Sequence, residues 1–239
     1  MSTTIGIMGG MGPLATIDLM KKIISHTPAI KDQDHIHVIA DNYPQIPDRT
    51  NAIFGKGEDP TDDMIASAKR IERAGADFIL IACNTAHFFL ENVRHSTHIP
   101  IMNMPLETAN YLNKHHYTSV GLLCTDGTLK TKLYQKACAH HNIDIITPSE
   151  ELQKNVMNGI YAVKAGKLSE GESELALAAE ILINQGAEAI IAGCTEIPLV
   201  LRSTKDVKVI DPTVILAKEA VKLVYELEKL NVKERNIRG

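Results

Sequence analysis

Short runs of apolar, largely β-branched residues recur along the chain, separated by longer stretches in which apolar residues return every three or four positions. The runs fall at residues 5–8, 36–40, 78–82, 99–103, 120–123, 143–146, 189–192 and 207–210. Most are continuous rather than alternating, the pattern of strands covered on both faces. Between them, residues 62–74 place Met64, Ile65, Ala68 and Ile71 at helical spacing. Residues 172–185 do the same with Leu175, Ala178, Ala179, Leu182 and Ile183, and a long helix is predicted over residues 212–230. Strands alternating with helices predict parallel sheets with helices outside them, an α/β fold.

The pattern also repeats. Ile5-Gly-Ile-Met-Gly-Gly-Met-Gly12 resembles Val120-Gly-Leu-Leu-Cys-Thr-Asp-Gly127, and residues 36–39 resemble 143–146. Gly75-Ala-Asp-Phe-Ile-Leu-Ile-Ala-Cys83 resembles Gly186-Ala-Glu-Ala-Ile-Ile-Ala-Gly-Cys194, and residues 99–102 resemble 207–210. The matches keep their order and nearly constant spacing. They predict two similar lobes, each a parallel sheet flanked by helices, related by an approximate two-fold axis with a cleft between them. The first lobe is expected to span residues 1–105 plus 207–239, with the last helix returning to it, and the second residues 106–206.

Both halves of the repeat carry a cysteine at the end of a strand: Cys83, followed by Asn84, Thr85 and His87, and Cys194, followed by Thr195 and Glu196. Ligands of parallel α/β sheets bind at the carboxyl ends of the strands. A two-fold relation between the lobes would set the two thiols face to face. That geometry suits inversion of a stereocentre, which needs a base on one side of the carbon and an acid on the other. Two identical groups exchange those roles when the reaction runs backwards. A thiol, with its pKa of about 8.5 lowered at a helix N-terminus, serves as either. Asn84, Thr85 and Thr195 stand at helix starts, where side-chain donors and backbone N–H groups can hold a carboxylate. The alternatives for the cysteines are buried filler or metal ligands. Cys83 and His87 are four apart, but no second Cys/His pair completes a tetrahedral set. Cys124 and Cys138 lack matching contexts and read as structural.

The other polar candidates each have a bland reading. Arg49 is either a bidentate carboxylate clamp or a solvated surface residue. Lys164 reads most simply as a surface lysine. Glu196 would bind an ammonium group, polarise Cys194 or cap a helix. His87 would tune Cys83 or pack. The turn Gly9-Gly10-Met11-Gly12-Pro13 lacks dinucleotide-loop spacing and fits a backbone cradle for a carboxylate.

Composition excludes more than it adds. The chain has 239 residues, 44% hydrophobic and 23% charged, with a net charge of -4. This suits a soluble globular protein and offers no basic surface for nucleic acid. No apolar run is long enough to span a bilayer. The opening Met1-Ser-Thr-Thr-Ile-Gly has no basic stretch and no cleavage pattern, which predicts a cytoplasmic protein.

Ala82-Cys83-Asn84-Thr85-Ala86-His87 and Gly193-Cys194-Thr195-Glu196 resemble the two signature cysteine segments of the aspartate/glutamate racemase superfamily. The glycine-rich turn, the Asp48-Arg49 loop and the Thr125 to Thr128 loop also sit where that family has them, so the resemblance covers essentially the whole chain. The opening Ile5-Gly-Ile-Met-Gly-Gly-Met-Gly-Pro is similar to the aspartate racemase branch. Glutamate racemases open with a different segment and carry histidine where this chain has Glu196.

The resemblance implies a two-thiol racemase of amino acids that needs neither pyridoxal phosphate nor a metal, acts on a dicarboxylic amino acid and forms a homodimer. It implies Cys83 and Cys194 as the acid–base pair. Asn84, Thr85, Thr195 and the backbone of Met11 and Gly12 would hold the α-carboxylate or amino group. Thr125, Thr128, Arg49 and Lys164 would line the side-chain carboxylate pocket, and Glu196 would support Cys194. Two rival functions stay open. One is a broad-specificity racemase or a maleate-type isomerase of the same superfamily; the other is a diacid-binding module without catalysis.

Overall fold

The structure, a computed structural model, describes residues 3–238, with side chains described through residue 230. The outermost limits of the expected lobes, residues 1, 2 and 239, lie outside the described residues. The first half runs β1 (Thr4–Gly9), α1 (Pro13–His26), β2 (His37–Asn42), α2 (Arg49–Ile53), α3 (Thr61–Arg73) and β3 (Phe78–Ile81). A 3-10 segment (Thr85–Phe89) then leads to α4 (Leu90–Arg94) and α5 (Met104–Lys114). The second half runs β4 (Ser119–Cys124), α6 (Asp126–Thr131), α7 (Leu133–Ala139), β5 (Asp144–Ile146), α8 (Glu150–Lys164) and α9 (Leu168–Asn184). It continues through β6 (Ile190–Gly193), α10 (Ile197–Val200) and β7 (Val209–Ile210) to α11 (Pro212–Arg238). No helix among the described residues is long and apolar enough to cross a membrane.

The strands form two parallel sheets, ordered β2-β1-β3 and β5-β4-β6-β7. Ile101 adds a single parallel bridge to Ile79, where β7 flanks β6 in the other sheet. The two sheets therefore share one strand order, as the repeat predicts. The expected strand at 99–103 shrinks to this bridge for a local reason. The Pro100 carbonyl accepts from Ile79 N–H at 2.8 Å and Met102 N–H donates to the Ile79 carbonyl at 2.9 Å. Pro100 has no N–H with which to extend the ladder, and Asn103 already caps α5 by accepting from Leu106 N–H.

Each sheet is covered on both faces, which explains the continuous apolar runs. Ile5, Ile7, Phe78 and Leu80 pack toward α1 and α11, while Met8, Ile79, Ile81 and Cys83 pack toward α3 and α4. In the second sheet Val120, Leu122 and Cys124 face α5 and α7, and Leu123, Ile190, Ala192 and Cys194 face α8 and α9. A buried aliphatic side chain contributes roughly 2 kcal/mol, so this two-sided packing is the main force holding each sheet. The helices come close. A Cβ on Gly6 would stand 2.2 Å from Ile71 Cγ2 of α3, and one on the matching Gly121 would stand 3.0 Å from Leu182 Cβ of α9.

The return of the chain to the first sheet begins later than residue 207. β7 pairs with β6, so residues 209–210 belong to the second sheet. Only along α11 do Leu216, Ala217, Ala220, Val221 and Val224 join Ile5, Leu19 and Ile23. The crossing is tied down by Lys22 of α1. Its ammonium donates to Asp18, to Asp211 Oδ2 at 2.7 Å and to Thr213 Oγ1 at 2.5 Å.

His87 fixes the strand end that carries Cys83. Its Nε2 accepts from Met104 N–H at 3.1 Å, which leaves the proton on Nδ1 to donate to the Cys83 carbonyl at 2.8 Å. Both ring nitrogens are thus used on backbone, and neither is left for the thiol. Burial lowers the imidazole pKa from 6.5 to about 4. A depressed histidine pKa stabilises the fold fully above the unfolded value of 6.5, and that contribution is lost as pH falls toward 4. In urea unfolding, the wild-type chain should therefore lose up to about 3 kcal/mol more between pH 7 and pH 4 than His87→Asn does. Parallel pH profiles for the two proteins would refute this role.

Candidate active site

The segments that leave β1, β3, β4 and β6 at their carboxyl ends converge on one cavity. Met11, Cys83, Asn84, Thr85, Thr125, Cys194, Thr195 and Glu196 line it, with Asp48, Arg49 and Thr50 from α2 and its cap and Lys164 from the end of α8. The turn after β1 is possible because Gly10 adopts φ +90, and a Cβ there would strike the Tyr43 carbonyl carbon at 2.3 Å. The cavity holds about 20 Å³, room for about one water. It adjoins a cavity of about 210 Å³ that shares Arg49, Lys164 and Glu196 and is lined by Gly12. A larger cavity of about 600 Å³, against Phe54, α6 and α8, contains neither thiol.

Ten of the twelve residues expected from sequence thus line the central cavity, and two stand beside it. Gly12 belongs to the adjoining one, where a Cβ would approach Glu196 Oε1 to 3.5 Å. Thr128 is fully buried behind the wall. Its hydroxyl joins those of Thr85 at 2.9 Å and Thr125 at 3.2 Å. Thr85 and Thr125 also meet at 2.9 Å. These three hydroxyls bind one another across the two lobes, Thr85 and Thr125 at the cavity wall and Thr128 behind it. Thr125 additionally caps α6 by accepting from Thr128 N–H.

The two thiols sit in unequal surroundings. Cys83 and Cys194 are each 6% exposed. Cys194 Sγ donates to Glu196 Oε2 at 2.9 Å, and Thr195 Oγ1 donates to the same oxygen at 3.3 Å. Burial first, and then the Glu196 carboxylate, push the Cys194 thiol well above its ordinary pKa, against a smaller pull from Lys164. At the position matching Glu196, the first lobe has Thr85, which is committed to the threonine cluster. Burial also raises Cys138, to about 11, and Cys124. Neither thiol lines the cavity, and both behave as core residues.

Two cations flank the thiols. Lys164 Nζ stands 4.0 Å from Glu196 Oε1, with its side chain 34% exposed at the rim. Burial lowers its pKa, but Glu196 and both thiols outweigh that, and the net shift is upward. Arg49 is 9% exposed and not a solvated surface group. Its Nη1 donates to the carbonyls of Ile46 at 3.0 Å and Pro47 at 2.9 Å, and its Nη2 to Met11 at 3.4 Å. Its Nε is buried without a partner.

Sequence reasoning passed over Asp48, Thr50 and Tyr134. Asp48 signals itself as the cap of α2, accepting from Asn51 N–H at 2.7 Å. Thr50 packs on Gly127, where a Cβ would come within 2.9 Å of its hydroxyl. Tyr134 reaches the site from α7 by donating to Asn84 Oδ1, a contact between distant segments that no local pattern announces.

Comparison with known proteins gives the chain a family. The family model described as Asp/Glu/Hydantoin racemase matches residues 8–220. The broad specificity amino-acid racemase RacX of Bacillus subtilis (strain 168) is 27% identical over 226 residues, covering 91% of this chain and 96% of that protein. Among solved structures, Picrophilus torridus aspartate racemase superposes with a TM-score of 0.86 at 32% identity, covering 93% of this chain and 94% of that one. An aspartate racemase homologue from Pyrococcus horikoshii OT3 does so with a TM-score of 0.76 at 26% identity, covering 94% and 100%. Fold similarity and family model coincide over nearly the whole chain, which belongs to the Asp/Glu/Hydantoin racemase family.

Proposed function

We propose that this racemase interconverts L- and D-aspartate without a cofactor, using Cys83 and Cys194 as its two acid–base groups. The observation that carries the reading is the meeting of both strand-end thiols, one from each lobe, on a single cavity flanked by Arg49 and Lys164. One thiolate takes the α-proton, so that the C–H bond breaks and an S–H bond forms. The opposite thiol gives its proton to the other face of the same carbon. The configuration inverts, and the two sulfurs have exchanged protonation states. The electron pair left on carbon is delocalised into the α-carboxylate, which Asn84, Thr85 and Thr195 would hold; donors fixed at the site of developing charge lower such a barrier. Lys164 and Arg49 would hold the side-chain carboxylate, with Arg49 turning its fork from the loop carbonyls to the substrate. A cavity of about 20 Å³ does not admit an amino acid, so its walls part as substrate binds. The rim position of Lys164 makes that side the natural door.

A broad-specificity racemase is the second reading. The use of Arg49 Nη1 on two backbone carbonyls favours it, as does the likeness to the Bacillus subtilis protein. The reading also takes the chain to be a cytoplasmic homodimer, as its resemblance to the superfamily implies. Leu14, Ile17 and Ile24, exposed on α1, offer apolar surface for that contact.

Rates of cofactor-free racemisation, followed by chiral separation, distinguish the two substrate readings. A site built around a second carboxylate should favour aspartate over alanine by roughly a hundredfold or more in kcat/KM. Similar values for both amino acids would establish the broad-specificity reading, and absence of turnover on any amino acid would remove both.

The inequality of the thiols gives a second expectation. Replacing Glu196 by Gln removes a negative charge beside Cys194, so the Cys194 pKa should fall. Thiolate absorbance, taken as the difference between each protein and its Cys194→Ala counterpart, should rise at lower pH in Glu196→Gln than in wild type. Superimposable titrations would show that Glu196 does not control this thiol.

A further inference from the structure

Asn84 presents one satisfied end and one unsatisfied end. It is 2% exposed. Its Oδ1 accepts a hydrogen bond from the Tyr134 hydroxyl, while its Nδ2 is buried without a partner. A carboxamide has nearly the same shape either way round, with an acceptor at one end and two donors at the other. The group that reaches one end therefore decides what the other end offers. Tyr134 is well placed to decide. It is fully buried on α7 among Leu112, Leu122 and Cys138 of the second lobe, yet it contacts the residue next to Cys83 in the first. Burial holds the phenol protonated, well above its ordinary range. The protonated phenol spends that proton on Asn84 Oδ1. The matching residue of the other lobe, Thr195, has no such strap: its hydroxyl turns to Glu196.

We infer that Tyr134 is a positioning residue: by donating to Asn84 Oδ1 it turns both Nδ2 protons toward the cleft, and so makes Asn84 a fixed donor to the substrate's α-carboxylate. The inference rests on reading the cleft as an amino-acid racemase site. Without the phenol, the amide is free to rotate and to present its oxygen to the carboxylate, where like charges repel. The strap acts on the substrate only through Asn84, which gives it a distinctive signature in a double-mutant cycle.

The test compares wild type, Tyr134→Phe, Asn84→Ala and the double variant in racemisation of L-aspartate, or of whichever amino acid the wild type turns over best. Tyr134→Phe should lower kcat/KM about tenfold, the equivalent of one hydrogen bond. Asn84→Ala should lower it about a hundredfold, and the double variant no further. Losses that multiply to about a thousandfold, or a Tyr134→Phe enzyme equal to wild type, would overturn the inference. Asn84→Asp keeps the acceptor for Tyr134 but removes the donors, so it should be at least as impaired as Asn84→Ala with an unchanged melting temperature; near-normal activity would overturn the donor role. A readout independent of turnover separates this inference from the reaction itself. In ¹H–¹⁵N spectra, the Asn84 side-chain amide pair, assigned by its loss in Asn84→Ala, should shift or broaden in Tyr134→Phe. An unmoved pair contradicts the strap whatever the enzyme's substrate, whereas a moved pair in a protein that racemises nothing leaves the strap standing and removes the reaction.

Discussion

Every feature of the site depends on covering a parallel sheet on both faces. Once helices occupy both faces of β1 and β3, and of β4 and β6, the carboxyl ends of the strands are where polar groups can gather without disturbing a core. Cys83 and Cys194 illustrate this directly. Each continues the alternation of its strand and packs at the edge of an apolar cluster. Each also lies at the point where backbone leaves the sheet and lines the shared cavity. A thiol tolerates both surroundings, being small and apolar enough for the core and acidic enough for proton transfer.

The two lobes repeat a fold but not a chemistry. Their strand orders match, and Gly6 and Gly121 allow the same close approach of helix to strand. Past the cysteines they diverge. The second lobe places a carboxylate against its thiol, whereas the first places an amide held by Tyr134 and a threonine tied to Thr125 and Thr128. The second thiol is thereby held as the proton-bearing group, with a cation 4.0 Å from its carboxylate partner. Interconversion of two enantiomers is symmetric only in outcome, and on the proposed two-thiol reading its two directions would start from chemically different bases.

The fold was legible because the apolar runs report two-sided burial, which is a local property of each segment. It failed where one residue overrode the run: Pro100 removed a ladder donor, and Asn103 committed the chain to α5. The cleft was legible because both cysteine segments come at strand ends, so topology alone brought them together. What was not legible depends on side-chain direction. Arg49 is neither a surface residue nor yet a clamp, because the carbonyls of a loop two and three residues away capture it first. Thr128 faces other hydroxyls and not the cavity. His87 serves the backbone of Cys83 rather than its sulfur. Tyr134 sits in a stretch of ordinary helix and touches the site only through the fold.

The central claim is that each thiol serves one face of the substrate carbon. Exchange of the α-proton with D₂O, followed by proton NMR separately for L- and D-aspartate with Cys83→Ser and with Cys194→Ser, tests it most directly. Each variant should still wash out the α-proton of one enantiomer, the opposite one in the two variants, while neither produces the mirror-image product. Exchange of both enantiomers by either variant, or full racemisation with one cysteine replaced, would contradict the two-thiol account.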